Sequence, residues 1–179
     1  MNGEDSQSLT ASCLCGAVTF ETAGSPIMSV ICHCTSCRTA GHRIEERPGA
    51  PAVLDAIGGT TFLLYRKDRL RCTRGGEKLE TLRLKPDSPT RRLVARCCNA
   101  PMALEFSKGH WLSMYRDRFP DHAQPPEMRV MTADQPDNIP LPDDVPAYAR
   151  HSGRFMWRLL GAWIAMGLRV PRVPGLEAA

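Results

Sequence analysis

Short alternations of apolar and polar residues recur along most of this chain, and they predict strands more often than helices. Val18 and Phe20 alternate with Thr19 and Glu21 just behind the tract Thr10-Ala11-Ser12-Cys13-Leu14-Cys15-Gly16-Ala17. That is the pattern of a half-buried strand leaving a turn at Cys15-Gly16. A second apolar run at 27–31 delivers the chain to Cys32, and the polar tract with Gly and Pro from Cys37 to about Pro51 reads as a loop. Strand-like runs then crowd together at 60–65, 69–73, 79–84 and 93–96, divided by Gly75-Gly76 and Pro86-Asp87-Ser88-Pro89. Such spacing predicts an antiparallel meander, not alternating strand–helix units. Residues 120–146 hold seven prolines and read as an irregular wrap or linker. The period changes at 150–172, where Phe155-Met156-Trp157 and Leu159-Leu160 flank Arg158, and a terminal helix of roughly four turns is predicted. Residues 1–9 read as a frayed polar start, and no repeat is visible.

Composition narrows the class. The chain has 179 residues, 42% of them hydrophobic, 23% charged and 6% aromatic, which suits one domain with a real core. Fifteen prolines and few aromatics argue for a loop-rich fold over a helical bundle. Formal charge is +4, with 19 Arg against four Lys. An excess that small does not imply nucleic acid, and none is expected as a partner. Within 66–96, however, 11 basic residues face four acidic ones. A solvated sheet face is the plain reading, and a rim that attracts an anionic ligand is the sharper one. The longest uncharged apolar stretch, 159–168, has 10 residues against the ~20 that span a bilayer. The helix at 150–172 carries five Arg and no acid. It could dock on the sheet, bind a partner or lie on a membrane surface; docking is favoured, since Gly161 and Gly167 suit close packing.

Eight cysteines are the outlier. The chain starts polar, without an apolar signal segment, so a cytoplasmic protein is expected rather than an exported disulfide scaffold. In a reducing compartment, clustered cysteines are more often metal ligands or redox groups. Cys72 stands alone in a predicted strand and reads as a small buried hydrophobe. The other seven fall in three groups: Cys13-Leu14-Cys15, Cys32-His33-Cys34-Thr35-Ser36-Cys37, and Cys97-Cys98. A lone Cys-x-x-Cys says little, but Cys-x-Cys-x-x-Cys with another Cys-x-Cys 16 residues before it says much. Seven thiolates do not divide into two closed four-thiolate zinc sites. One site can close while the other keeps three thiolates and an open position, the usual contrast between a structural and a catalytic zinc. The middle group can hold a metal by itself, whereas Cys13 and Cys15 must recruit Cys97 or Cys98.

Cys13-Leu14-Cys15-Gly16-Ala17-Val18 followed by Cys32-His33-Cys34-Thr35-Ser36-Cys37-Arg38 resembles the glutathione-dependent formaldehyde-activating family, which includes centromere-protein-V-like proteins. The resemblance covers roughly residues 10–106. It implies a mainly β, Mss4-like fold of antiparallel sheets pinned by zinc. It also implies that Cys13 and Cys15 belong to a structural zinc and that Cys32, Cys34 and Cys37 hold a second, substrate-side ion. Relatives carry Cys-x-x-Cys-Gly-x-Pro at a third motif, where this chain has Ala95-Arg96-Cys97-Cys98-Asn99-Ala100-Pro101. Cys98 takes the second ligand's place, Ala95 the first's, and Asn99 that of the glycine. The structural zinc then has three thiolates and another ligand, or both Cys97 and Cys98 through a distorted turn; a vicinal disulfide is the third option. The expected organisation is a zinc-binding domain over 10–119, a Pro-rich wrap over 120–149, and a basic apolar helix and tail over 150–179.

Three thiolates on zinc leave net charge −1 and a weak Lewis acid, so hydrolysis is not the first expectation. An incoming thiol suits such a site better, because coordination lowers its pKa. The resemblance implies glutathione as the thiol and formaldehyde or a related aldehyde as its partner, hence a carbon–sulfur lyase. Arg38, just after the last cysteine of the group, is the expected grip on a substrate carboxylate, with Arg43 and Arg47 behind it. His33 could shuttle a proton, though its ring should point away from a metal held by its neighbours. His42 could act as a fourth ligand or acid/base group. His110, His122 and His151 have no cluster around them. Two other classes stand beside the lyase: a non-catalytic zinc-stabilised scaffold, and a thiol redox or metal-handling protein.

Overall fold

The computed structural model describes residues 8–121, 123–136 and 139–176. Most of the frayed start and His122 lie outside them. The strands are β1 (Leu9–Ser12), β2 (Thr19–Thr22), β3 (Met28–Cys32), β4 (Thr60–Arg66), β5 (Leu70–Arg74), β6 (Leu79–Leu82), β7 (Thr90–Ala95), β8 (Ala100–Phe106), β9 (Trp111–Tyr115) and β10 (Met128–Val130). Two helices accompany them, α1 (Thr35–Glu45) and α2 (Gly153–Ala165). The fold is therefore mainly β with a C-terminal helix.

Strands β1-β2-β5 form a small antiparallel sheet, and β10-β3-β4-β9-β8-β7-β6 form a seven-stranded one. The meander holds from β6 to β9, but β5 leaves it and pairs with β2. The sheets are not wholly antiparallel, because β10 runs parallel to β3 at the edge. That strand falls inside the Pro-rich stretch, where its three residues are too few to show an alternation.

Strand β4 shows why the large sheet sits between two cores. Leu63 and Tyr65 pack with Phe20 of the small sheet and Val18 just before it, while Phe62 and Leu64 pack on the other side with Cys37 and Ile44 of α1 and Phe155 and Leu159 of α2. Side chains alternate across a strand, so a strand covered on both faces reads as a continuous apolar run. Phe62-Leu63-Leu64-Tyr65 is that run.

The loop expected after Cys37 is instead α1. Its buried residues are Cys37, Ala40, Gly41 and Ile44, a helical i, i+3, i+4, i+7 stripe. Two of these are the small Ala40 and Gly41, which conceals the stripe from a count of large apolar residues. Gly41 lets Leu54 pack against the helix: a Cβ there would lie 2.4 Å from Leu54 Cδ2 and would displace that side chain. Helix α2 starts at Ser152, whose Oγ accepts from the Phe155 amide at 3.1 Å. It docks through Phe155 and Leu159, not through its glycines. Gly161 has nothing within 4 Å of a built Cβ, and Gly167 (φ +64°) follows the helix end in the left-handed region.

Two candidate metal centres and the cavity beside one of them

The chain folds the clustered cysteines into two groups, on opposite faces of the large sheet. Cys13 and Cys98 contact the core shared with the small sheet; Cys32, Cys34 and Cys37 contact the core beneath the helices.

In the first group, the Cys13 carbonyl accepts from the Gly16 amide at 3.0 Å, and Gly16 takes φ +73°, which closes the turn between the two cysteines and β2. The opposite half is the turn between β7 and β8, closed by the Cys98 amide on the Ala95 carbonyl at 3.3 Å. Asn99 sits there at φ 53°, a left-handed conformation that Asn tolerates better than most residues. Its side-chain amide donates to the Pro48 carbonyl at 3.0 Å. This tight turn brings both adjacent cysteines to Cys13 and Cys15, so all four sulfurs lie within 4.8 Å of one another. The Sγ separations are 3.7 Å for Cys13–Cys15, 3.8 Å for Cys13–Cys97 and 4.0 Å for Cys97–Cys98. A tetrahedron of Zn–S bonds has edges of about 3.8 Å, so the donors fit a closed tetrahedral ion. At 4.0 Å the adjacent pair is not a vicinal disulfide, and all seven clustered cysteines carry free thiols. The Ala17 amide, then the Cys97 thiol, draw Cys15 down to about 7, while burial, then the Cys15 and Cys13 thiols, push Cys97 up to about 12.

In the second group, Cys32 ends β3, Cys34 caps α1 and Cys37 lies in its first turn. The Cys34 sulfur accepts from the Cys37 amide at 3.3 Å. All three sulfurs lie within 4.8 Å of one another, and among the described residues no His, Asp or Glu completes the group. The Cys34 thiol is lowered by hydrogen bonds from Cys32 and then Cys37, whereas Cys32 is driven far up by the Cys34 and Cys37 thiols and by burial. Three sulfurs this close cannot all ionise by themselves, because like charges disfavour one another. A bound cation removes that conflict, and both groups could hold a metal ion.

The other expected residues are placed as follows. His33 is buried and turned away from the sulfurs, its Nδ1 2.9 Å from Gln135 Oε1 and its Nε2 3.3 Å from an Arg129 nitrogen. His42 is exposed beside Glu45 and is not in the thiol group. Arg38 donates to the Asp134 carbonyl at 2.6 Å and borders a different hollow, with His42 and Asp55. Arg43 is exposed on α1, and Arg47 pairs with Glu80. Cys72 is half-buried in β5 against the inter-sheet core.

A cavity of about 360 Å³ opens beside Cys32, Cys34 and Cys37. Phe62, Leu64, Leu104, Phe106, Trp111 and Phe155 dominate its walls. The cation facing it was not foreseen: Arg92, only 1% exposed. Its Nη2 donates to the Ser36 carbonyl (3.0 Å) and hydroxyl (2.9 Å), while Nε and Nη1 are buried without a hydrogen bond of normal geometry, near the Tyr115 phenol. In sequence, Arg92 is one of the 11 basic residues of 66–96. The available signal was alternation: Arg92 and Val94 share the helix-side face of β7, and Leu93 and Ala95 share the other.

Residues 8–45 match the family described as "Glutathione-dependent formaldehyde-activating enzyme", a segment holding β1 to α1 and five of the seven clustered cysteines. No curated protein matches the chain. A solved structure of a Rhodobacter sphaeroides protein is similar at 16% identity and TM-score 0.47, covering 78% of this chain and 99% of that one. The likeness to the glutathione-dependent formaldehyde-activating family is thus carried by 38 of the 179 residues, the segment that holds the first two cysteine motifs.

Proposed function

We propose that this protein is a zinc-dependent carbon–sulfur lyase that joins a small thiol, glutathione in the family's chemistry, to an aldehyde and splits the adduct in reverse. The observation that carries this reading is the pair of unequal thiol groups: four sulfurs that close a tetrahedron, and three that leave one position for a substrate sulfur. Cys13, Cys15, Cys97 and Cys98 would hold a structural zinc. Cys32, Cys34 and Cys37 would hold a second ion at the cavity. Zinc there, when bound, lowers the pKa of an incoming thiol so that it is held as thiolate near neutral pH. The apolar walls keep water from competing for the aldehyde carbon, and Arg92, not Arg38, is the cation facing that space. Free thiols in this number suit a reducing compartment such as the cytoplasm.

The test is thiol–aldehyde exchange followed by NMR, with glutathione and formaldehyde added to the zinc-loaded protein. Exchange should exceed the uncatalysed rate and vanish in Cys32→Ser. Equal rates with and without protein, for any aldehyde tried, would remove the lyase reading. One feature favours a second reading, a zinc-stabilised interaction module: α2 turns Met156, Trp157, Leu160 and Ile164 outward, with Trp157 72% exposed.

A further inference from the structure

The cavity is too large and too apolar for formaldehyde alone. Its volume of about 360 Å³ lies in the usual range for small-molecule sites, ~300–1,000 Å³. Formaldehyde has no apolar body with which to fill such walls. Glutathione's carboxylates and amine find little inside to pair with, since Arg92 is the one charged side chain among the lining residues apart from the thiols and the titratable His151. His151 is exposed and marks the solvent side, where the polar body of a thiol would remain.

Arg92 supplies the second observation. A buried guanidinium with two nitrogens that make no hydrogen bond of normal geometry, only the Tyr115 phenol lying beside them, is costly unless something else accepts from it. Its Nη2 is anchored to Ser36 of α1, one residue from Cys37, which fixes the remaining nitrogens beside the thiol group. Donors held in place in a water-poor site are the arrangement that stabilises oxygen as it gains negative charge.

We infer that the cavity takes the hydrophobic body of the aldehyde, an aliphatic chain of several carbons or an aromatic ring, and that Arg92 donates to its oxygen as the carbon–sulfur bond forms. The inference rests on the thiol–aldehyde reading above. In the forward step the substrate sulfur forms a bond to the carbonyl carbon, and the C=O π pair moves onto oxygen. Arg92 hydrogen-bonds that oxygen, and the proton lost by the thiol on ionisation returns to it through solvent, giving a hydroxyl. Nothing is oxidised or reduced. The reverse step breaks the same C–S bond and returns thiol and aldehyde.

Two stable thioethers probe the cavity without any reaction. In calorimetry on the zinc-loaded protein, S-hexylglutathione should bind at least about tenfold more tightly than S-methylglutathione, since each buried methylene adds to transfer free energy. Leu104→Trp, which fills the cavity, should erase that gain. Equal affinities for the two thioethers would overturn the inference, and the wild-type comparison stands even where the variant does not fold. For Arg92, neither thioether carries the reacting oxygen. Arg92→Met should therefore leave their affinities within about twofold, while hexanal–glutathione exchange falls about 10²–10³-fold; Arg92→Lys should recover part of it. Loss of thioether affinity in Arg92→Met would instead assign Arg92 to a glutathione carboxylate and overturn its role at oxygen. Exchange absent with both hexanal and formaldehyde would sink the lyase reading, and the calorimetric ratio would still decide whether the apolar site exists.

Discussion

At the scale of single residues, charge decides which side chains matter around the thiols. Four thiolates on one divalent cation carry net charge −2, and on the buried side of the site, where Cys13 lies, that charge needs an answer. Arg118 is a candidate: its side chain is buried, its Nε has no hydrogen-bond partner, and the burial that lowers its pKa is opposed first by Asp117 and then by the Cys98 and Cys13 sulfurs. Arg118→Met should weaken zinc retention at the four-thiol site about 10–100-fold, as loss of outer-shell partners does. Competition against a chromophoric chelator would measure it, and unchanged affinity would remove Arg118 from the site. Such residues are the least legible in sequence. The cysteines were legible because their spacing is local and their chemistry narrow. Arg118 and Arg92 look like any surface arginine until the strands place them.

At the scale of elements, the strands were read well wherever apolar residues alternate or run together, and poorly where small residues do the packing. Helix α1 was missed because Ala40 and Gly41 fill half of its buried stripe. Helix α2 was expected, but the means of its docking was not. Besides Phe155 and Leu159, it is held by His110 of the turn before β9, whose Nε2 donates to the Leu159 carbonyl at 2.9 Å and whose ring stacks on Trp163 at 5.8 Å. Burial, with Lys67 nearby, lowers the His110 pKa below 6.5 although the Leu159 bond opposes this. A depressed pKa means that the neutral ring suits the fold. Its contribution is complete above about 6.5, and is lost as pH falls through the folded value. Buried His33, and His151 at the surface, whose ring is also partly desolvated, shift in the same direction. The melting temperature should therefore drop between pH 7.5 and 5.5, and His110→Gln should make that drop shallower. An identical slope in the variant would show that His110 does not couple α2 to pH.

At the scale of the whole molecule, the seven-stranded sheet separates two thiol groups of different character. The four-thiol group joins the first turn of the chain to a turn more than 80 residues later, so a metal there closes a long loop and stabilises the fold by restricting the unfolded chain. The three-thiol group is local in sequence, and its cavity is not: β3, α1, β4, β7, β8, β9 and α2 all line it. That is why the thiol cluster could be read from spacing while the cavity could not. No helix among the described residues is long and apolar enough to cross a membrane. On the proposed reading, the two groups bind zinc independently and differ in role. Zinc per chain, measured by elemental analysis on freshly purified wild type and Cys32→Ser, tests it most directly. Two zincs falling to one with the fold intact is the expected result; one zinc in both proteins would leave the three-thiol group without a metal and contradict that reading.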